Sequence, residues 1–300
     1  MSFTRSDVVV AGLSMRLVDL PGTYSLHPFD AAEQVTRDFL LSGQVDAIIN
    51  VVDASVMSRS LELTVELIET KLPMVVALNM MDDAQRKGIT IDIKALEAKL
   101  GVPVVSTIAT RGQGVSSVAL KALHASMSKK AGIPAIYDRD TEESLNRLMA
   151  SIPPEAADKL GVPTRFLAIR LLQNDEAIGK VFQELSPDAV ELANKERKFL
   201  ADEHNWPEES VFASHRHAVA MDLFEEVARV VPRQKLSWRD RIDNVLMHPF
   251  WGFIGVIVAL GGLFTLSFVV GDALAGLIEA PFEPLTEAIG AKAEDSLWWA

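Results

Sequence analysis

The chain has 300 residues, a formal net charge of -12 and no cysteine. The negative charge excludes a nucleic-acid binder, because a phosphate backbone requires clustered lysine and arginine. The absence of cysteine excludes disulfides, thiolate zinc sites and iron–sulfur clusters. Residues 1–10 lack the apolar core and cleavage site of a signal peptide.

Short apolar runs alternate with helical patterns between about residues 15 and 126. The runs are continuous and rich in β-branched residues, which predicts parallel strands covered on both faces. The predicted strands are Met15–Val18, Ala47–Val52, Val75–Leu78 and Val102–Val105. Asp92 and Gly101 are expected to cap a helix over residues 93–100.

The first polar motif, Asp19-Leu20-Pro21-Gly22, directly follows a predicted strand. A carboxylate there can hold the Mg²⁺ of a nucleotide through water, so Asp19 is the predicted metal residue. Gly22 would let a backbone N–H approach a terminal phosphate. The alternative is an ordinary turn after the strand, which Pro-Gly also favours.

The second motif, Asn79-Met80-Met81-Asp82, follows the next-but-one predicted strand. In such N-x-x-D sites the aspartate accepts two N–H bonds from guanine and the asparagine braces the loop. The alternative is a helix N-cap. The third motif is Ile108-Ala109-Thr110, whose backbone is predicted to contact the guanine O6.

All three motifs follow predicted parallel strands, and open α/β sheets bind ligands at that edge. The combination predicts a guanine-nucleotide domain. The phosphate-binding pattern G-x-x-x-x-G-K-[ST] is absent from these 300 residues. We therefore expect a P-loop-GTPase-like parallel sheet that is N-terminally truncated, and weak or no GTP hydrolysis.

Helical patterns and prolines dominate residues 132–231 and predict an all-helical spacer. Six histidines are scattered along the chain. His215 and His217, two residues apart, share no helix face, so no metal site is predicted there.

The segment Phe250–Val270 has no charged residue and is long enough to span a bilayer. A buried core helix is the alternative, although several glycines in the segment are more typical of membrane spans. Basic residues precede it and acidic ones follow, which places residues 1–249 in the cytoplasm. The basic residues are Arg233, Lys235, Arg239 and Arg241, and the acidic ones are Asp272, Glu279, Glu283 and Glu287.

These residues resemble the ferrous iron transport protein B family, bacterial membrane proteins with an N-terminal G domain. The resemblance runs through Leu17–Leu26 (LVDLPGTYSL), Asn50–Ala54 (NVVDA), Val76–Asp82 (VALNMMD) and residues 241–252. It implies a truncated G domain over 1–130, a helical spacer over 131–240 and the start of a membrane domain over 241–300.

The resemblance further implies a GTP-dependent Fe²⁺ transporter of the inner membrane, multi-pass at full length, whose G domain gates or drives uptake. Its ligands would be GTP or GDP, Mg²⁺ and the transported Fe²⁺, and its partners the bilayer, the remaining membrane domain and, in a homo-oligomer, further copies. By the resemblance, Asp19 and Gly22 serve Mg²⁺ and the γ-phosphate, and Asn79 and Asp82 serve guanine.

The sequence departs from the family in three places. The phosphate loop and the first switch are absent, and Ile108 stands where serine is usual in the family. Most of the membrane spans are absent as well. A fragment or a late-started reading frame is the expected explanation. The alternative function is a degenerate, non-hydrolysing, membrane-anchored regulatory module.

Overall fold

The computed structural model describes residues 4–26, 31–208, 210–231, 242 and 245–279. The chain divides into two compact units, Met1–Pro232 and Arg233–Ala300.

The first unit begins with a hairpin of β1 (Thr4–Val10) and β2 (Leu13–Asp19). The strands are antiparallel, with Val10 opposite Leu13 and Thr4 opposite Asp19. Ala11 and Gly12 both have positive φ, as a tight two-residue hairpin turn requires. The prediction that Met15–Val18 belongs to the parallel sheet is therefore wrong, because this segment pairs instead with the preceding strand.

Three of the four predicted strands form a parallel sheet of β3 (Ile48–Asp53), β4 (Met74–Asn79) and β6 (Val104–Ser106), in the order β3-β4-β6. The central strand β4 is buried along nearly its whole length, which explains its continuous apolar sequence. Asp53 lies opposite Asn79, and Leu78 opposite Ser106. The carboxyl ends of the three strands therefore share one edge of the sheet.

Helices and short strands surround this sheet. They are α1 (Ala31–Leu40), α2 (Met57–Glu69), α3 (Met81–Arg86), β5 (Ile89–Ile91), α4 (Ile93–Leu100) and α5 (Val115–Ser128). The predicted caps of α4 are confirmed: the Asp92 side chain accepts the Ala95 N–H at 3.0 Å, and Gly101 has a φ of 69°.

The rest of the first unit is mostly helical, as predicted. Its helices are α6 (Arg139–Ser151), α7 (Pro154–Leu160), α8 (Thr164–Leu172), α9 (Glu176–Leu185), α10 (Pro187–His204) and α11 (Val211–Val227). The prediction of an all-helical region is wrong at its end, where β7 (Ala228–Val230) pairs antiparallel with β5. This pairing and the packing of α11 on α2 join the helical region to the sheet region.

The described part of the second unit contains the helix α12 (Trp251–Glu279). Over Trp251–Ala275 this helix is long and apolar enough to cross a membrane, and none of that window is buried. The predicted span thus lies on a helix, and its exposed apolar side chains do not fit a core helix. Of the predicted flanking charges, Arg233, Lys235, Arg239, Arg241, Glu283 and Glu287 lie outside the described residues.

Candidate guanine-nucleotide site

Asn79 ends the central strand β4 and connects two of the predicted loops. Its side-chain oxygen accepts a hydrogen bond from the Thr107 hydroxyl at 3.1 Å and one from the Ala109 N–H at 3.0 Å. Thr107 is itself buried, and its N–H donates to Leu78 O at 2.8 Å. The side chain at the end of one strand therefore fixes the loop that follows its neighbour.

Met80 and Met81 lead from Asn79 into the short helix α3. Met80 is left-handed, with a φ of 58°, and its side chain is partly exposed. A non-glycine residue in this conformation carries backbone strain, which is often found at functional sites. The turn places Asp82 in the first helical turn, where its carboxylate lies 3.5 Å from the Arg111 guanidinium.

The loop of Ile108, Ala109 and Thr110 is short, and backbone hydrogen bonds between Ile108 and Gln113 close it. Ile108 and Gln113 exchange backbone hydrogen bonds of 3.1 and 3.2 Å, and Ala109–Arg111 form a single 3₁₀ turn between them. Gly114 has a φ of 79°, and a side chain there would lie 2.3 Å from Ser106 O. Only glycine fits at this position, so the return of the chain into α5 fixes the loop against the sheet edge.

The Asp19-Leu20-Pro21-Gly22 segment lies at the end of the hairpin strand β2. Asp19 and Gly22 are exposed, and Pro21 O accepts the Thr36 hydroxyl of α1 at 2.9 Å. Within the described residues, no hydrogen bond or ion pair joins this segment to Asn79, Asp82 or the Ile108 loop. An added Cβ at Gly22 meets no atom within 4 Å, so packing does not require a glycine there.

The chain just beyond Gly22 is bound by a buried carboxylate, Glu66, which the sequence motifs do not include. Glu66 of α2 accepts the Leu26 N–H at 2.8 Å and receives the Arg170 guanidinium of α8 at 2.7 Å. The Arg216 guanidinium of α11 lies 3.7 Å away. Glu66 is 3% exposed and Arg170 1%. We call Glu66, Arg170 and Arg216 the Glu66 cluster.

The Glu66 cluster keeps its carboxyl group ionised. Burial alone would raise the pKa of Glu66, but Arg170, Arg216 and the Leu26 N–H together hold the pKa below its ordinary value of 4.5. The only sequence signal for the cluster was an acidic residue within the apolar face of α2. Its partners lie more than a hundred residues away, so no local pattern could identify them.

The Asp19 carboxylate fits one part of a magnesium site. Mg²⁺ usually takes one or two protein carboxylates and keeps waters or phosphate oxygens as its other ligands. Asp19 is exposed at a strand end and can supply such a ligand. Among the described residues, the group of three metal-ligating side chains lies elsewhere, at Asp138, His204 and His215.

Two family profiles match the chain. The profile described as "Ferrous iron transport protein B" matches residues 4–122, and the "FeoB cytosolic helical domain" matches residues 137–229. The Fe(2+) transport protein A/Fe(2+) transporter FeoB fusion protein of Porphyromonas gingivalis is 31% identical over 274 residues, 89% of this chain and 32% of the relative. The Fe(2+) transporter FeoB of Escherichia coli K12 is 30% identical over 88% of this chain and 33% of its own. The chain thus spans about a third of the length of these relatives.

Solved structures are also similar to this chain. A mutant NFeoB from S. thermophilus bound to GDP is similar with a TM-score of 0.64 and 29% identity, over 76% of this chain and 90% of that one. The mGMPPNP-bound NFeoB from S. thermophilus gives a TM-score of 0.63 and 30% identity, over 78% and 86%. Both structures are thus similar to this chain over about three quarters of its length.

Proposed function

Since the chain belongs to the ferrous iron transport protein B family, we propose that it forms the cytoplasmic nucleotide-binding part, and the first membrane helix, of a GTP-dependent Fe²⁺ transporter. In this proposal the G domain gates or drives Fe²⁺ uptake across the inner membrane. The observation that carries the proposal is the hydrogen bonding of Asn79 to Thr107 and Ala109, since it joins the two loops that are proposed to form the base pocket.

The base pocket is proposed to comprise Asn79, Met80, Met81, Asp82 and the Ile108-Ala109-Thr110 loop. Guanine offers two N–H donors that an aspartate can accept together, whereas adenine presents a different pattern. Asp82 is partly exposed and pairs at 3.5 Å with Arg111, whose side chain is exposed, so the carboxylate is available to a ligand. The similarity to GDP- and mGMPPNP-bound NFeoB structures supports the same assignment.

The phosphate side is proposed to comprise Asp19, Leu20, Pro21 and Gly22. Asp19 would hold Mg²⁺ through water, and that ion would neutralise charge on the phosphates. Gly22 has open space around it, and the protein itself gives no packing reason for a glycine. Close approach of a phosphate to the backbone is a sufficient reason.

The helical region is proposed to respond to the nucleotide through the Glu66 cluster. The loop that begins at Asp19 reaches Glu66 through Leu26, and Glu66 in turn contacts Arg170 and Arg216 of the helical region. A second ion pair, between Glu69 of α2 and Arg165 of α8, lies beside it at 3.1 Å. A shift of the loop would therefore change the environment of two helices in the helical region.

The remaining parts of the proposal concern the membrane. The proposed domains are the G domain over residues 1–130, the spacer over residues 131–240 and the start of the membrane domain over residues 241–300. With α12 in the bilayer, residues 1–249 would lie in the cytoplasm, and further spans and copies of the transporter would complete the pore. The length and apolar surface of α12 support this arrangement.

The alternative function is a non-hydrolysing, membrane-anchored regulatory module. The observation that favours it is the absence of G-x-x-x-x-G-K-[ST] from these residues, because that lysine and hydroxyl engage phosphates and metal. Both functions predict no hydrolysis by this chain alone, and a GTP turnover assay on the purified chain tests that expectation. We expect turnover at background, and multiple turnovers per chain would contradict this expectation.

The base pocket itself is tested by calorimetry with GDP and with guanosine. Because these residues supply the base side but no phosphate loop, we expect weak binding with GDP and guanosine within about threefold of each other. Asp82→Ala should abolish both, since a charge-assisted pair of hydrogen bonds contributes about 1.5–3 kcal/mol for each bond.

Asp83→Ala is the matched control, because Asp83 is adjacent but engages Arg86. Equal binding by the wild type and Asp82→Ala would contradict the proposed pocket.

A further inference from the structure

Three metal-ligating side chains converge in the helical region, away from the nucleotide loops. Asp138 is the N-cap of α6, His204 is the last residue of α10, and His215 lies in α11. Their ligand atoms all lie within 4.8 Å of one another. We call these three residues the His–Asp cluster.

The spacing within the His–Asp cluster suits a single metal ion. The Asp138 Oδ2 atom lies 3.1 Å from His204 Nε2 and 3.8 Å from His215 Nε2. An ion with bonds of about 2.0–2.2 Å separates its ligand atoms by about 3.0 Å in octahedral geometry and about 3.4 Å in tetrahedral geometry. The shorter distance lies between these values and the longer one exceeds both, so side-chain movements would bring the three atoms onto one ion.

The surrounding residues hold both rings in place. The His204 ring stacks on Trp206 at a centroid distance of 5.3 Å, and the Trp206 ring also meets the edge of His215 at 5.5 Å. Tyr137 and Phe212 form further edge contacts with His215, which is buried. Rings fixed by aromatic neighbours lose little freedom when a ligand binds.

One ring nitrogen lacks a hydrogen bond. His204 Nε2 is buried and forms no hydrogen bond with the described residues, although Asp138 Oδ2 is 3.1 Å away. Buried polar atoms without a partner are uncommon and call for an explanation. A metal ion between the two atoms would satisfy the nitrogen.

We propose that Asp138, His204 and His215 bind one divalent first-row transition-metal ion. Two imidazoles and one carboxylate form a nitrogen–oxygen ligand set that suits Zn²⁺, Fe²⁺ or Co²⁺ better than Ca²⁺ or Mg²⁺. The bound ion would link the start of α6, the end of α10 and the second turn of α11. The site goes beyond nucleotide binding, because it lies on the helices of the helical region.

The test is a Co²⁺ titration of the full chain in detergent, purified without a histidine tag and followed by visible absorption. We expect one equivalent to bind, with ligand-field bands typical of nitrogen and oxygen ligands and a rise in thermal midpoint. His204→Gln and His215→Gln should each weaken binding at least about tenfold, by analogy with changes at metal-site partners. Asp138→Asn should also weaken it while keeping the helix cap, since asparagine caps equally well.

His217→Gln is the matched control, because His217 is exposed on the same helix and contacts Glu62 at 2.9 Å. This variant should bind Co²⁺ as the wild type does. Circular dichroism without metal establishes that each variant folds. Absence of stoichiometric binding by the folded wild type, or binding unchanged in all three cluster variants, would overturn the proposal.

Discussion

Asn79 is a single residue that braces two loops through its side chain. It is also a proposed part of the base pocket. Asn79→Ala removes the acceptor for the Thr107 hydroxyl and the Ala109 N–H. We expect unfolding free energy to fall by about 1–3 kcal/mol, because both donors lose their partner in a partly buried site. Urea denaturation measures this loss. Asp82→Asn is the comparison, and it should leave stability within about 0.5 kcal/mol because the ion pair of Asp82 with Arg111 is partly exposed to solvent.

A second prediction concerns the contribution of the Glu66 cluster to stability. Glu66→Gln leaves Arg170 buried without a charged partner, and we expect a loss of about 3–5 kcal/mol at pH 7. Glu62→Gln, on the same helix but with a partly exposed side chain that contacts His217, is the control and should lose less than about 1 kcal/mol.

The effect of Glu66→Gln should depend on pH in a defined direction. Since the folded-state pKa of Glu66 lies below its ordinary 4.5, the carboxylate stabilises the fold fully above about pH 4.5. That contribution is lost as pH falls through the folded-state pKa. The stability difference between wild type and Glu66→Gln should therefore be constant from pH 7 to 5 and shrink at lower pH. A difference that grows on acidification would contradict the assignment.

The sequence predicts single positions well when the chemistry is local. Asn79 and Asp82 stood out because a polar motif follows a buried strand, and the structure places both at the sheet edge. Glu66 and the His–Asp cluster did not stand out, because their partners come from helices far along the chain. The histidine nearest to His215 in the sequence is His217, whereas its neighbours in space are His204 and Asp138.

At the scale of elements, Gly114 determines how the Ile108 loop joins α5. Gly114→Ala places a Cβ in a left-handed backbone and 2.3 Å from Ser106 O, so we expect a loss of about 1–3 kcal/mol. Gly112→Ala is the control, since Gly112 has a similar φ of 68° but open space around it. It should lose about 1 kcal/mol. Thermal unfolding of the two variants measures the difference, and equal losses would show that the contact with Ser106 is unimportant.

Elements were predictable where burial shapes the sequence. The strands β3, β4 and β6 are covered on both faces and show continuous apolar runs, and the caps of α4 were visible as Asp92 and Gly101. The hairpin partner β1 was missed because its residues are mostly exposed and polar. β5 and β7 have three residues each and pair across more than a hundred positions, so no local signal identifies them.

For the molecule as a whole, we predict that α12 causes the chain to associate with membranes. The full chain should float with liposomes through a density gradient, because the apolar surface of Trp251–Ala275 favours the bilayer core. A chain that ends at residue 249 should remain in the soluble fraction. Flotation of the shorter chain, or solubility of the full chain without detergent, would contradict the assignment of α12 as a span.

The G domain and the helical region share one compact unit and are joined by buried charge as well as apolar packing. Arg170 and Arg165 of α8 each pair with a glutamate of α2, and β7 adds a strand beside β5. Buried ion pairs tolerate little displacement, since separating them leaves charges unpaired. Under the proposed function, the two regions would therefore move together when the loops change.

The most direct test of the account is nucleobase specificity. The proposal is that the Asp82 carboxylate accepts two N–H bonds from guanine, and xanthine replaces one of those donors with a carbonyl acceptor. We predict that the wild-type chain binds GDP at least about tenfold more tightly than xanthosine diphosphate. Asp82→Asn should reverse this preference, because its amide N–H can donate to the carbonyl, while Asp83→Asn leaves it unchanged. Equal affinity of the wild type for both nucleotides, or the same preference in Asp82→Asn, would contradict a guanine pocket at this sheet edge.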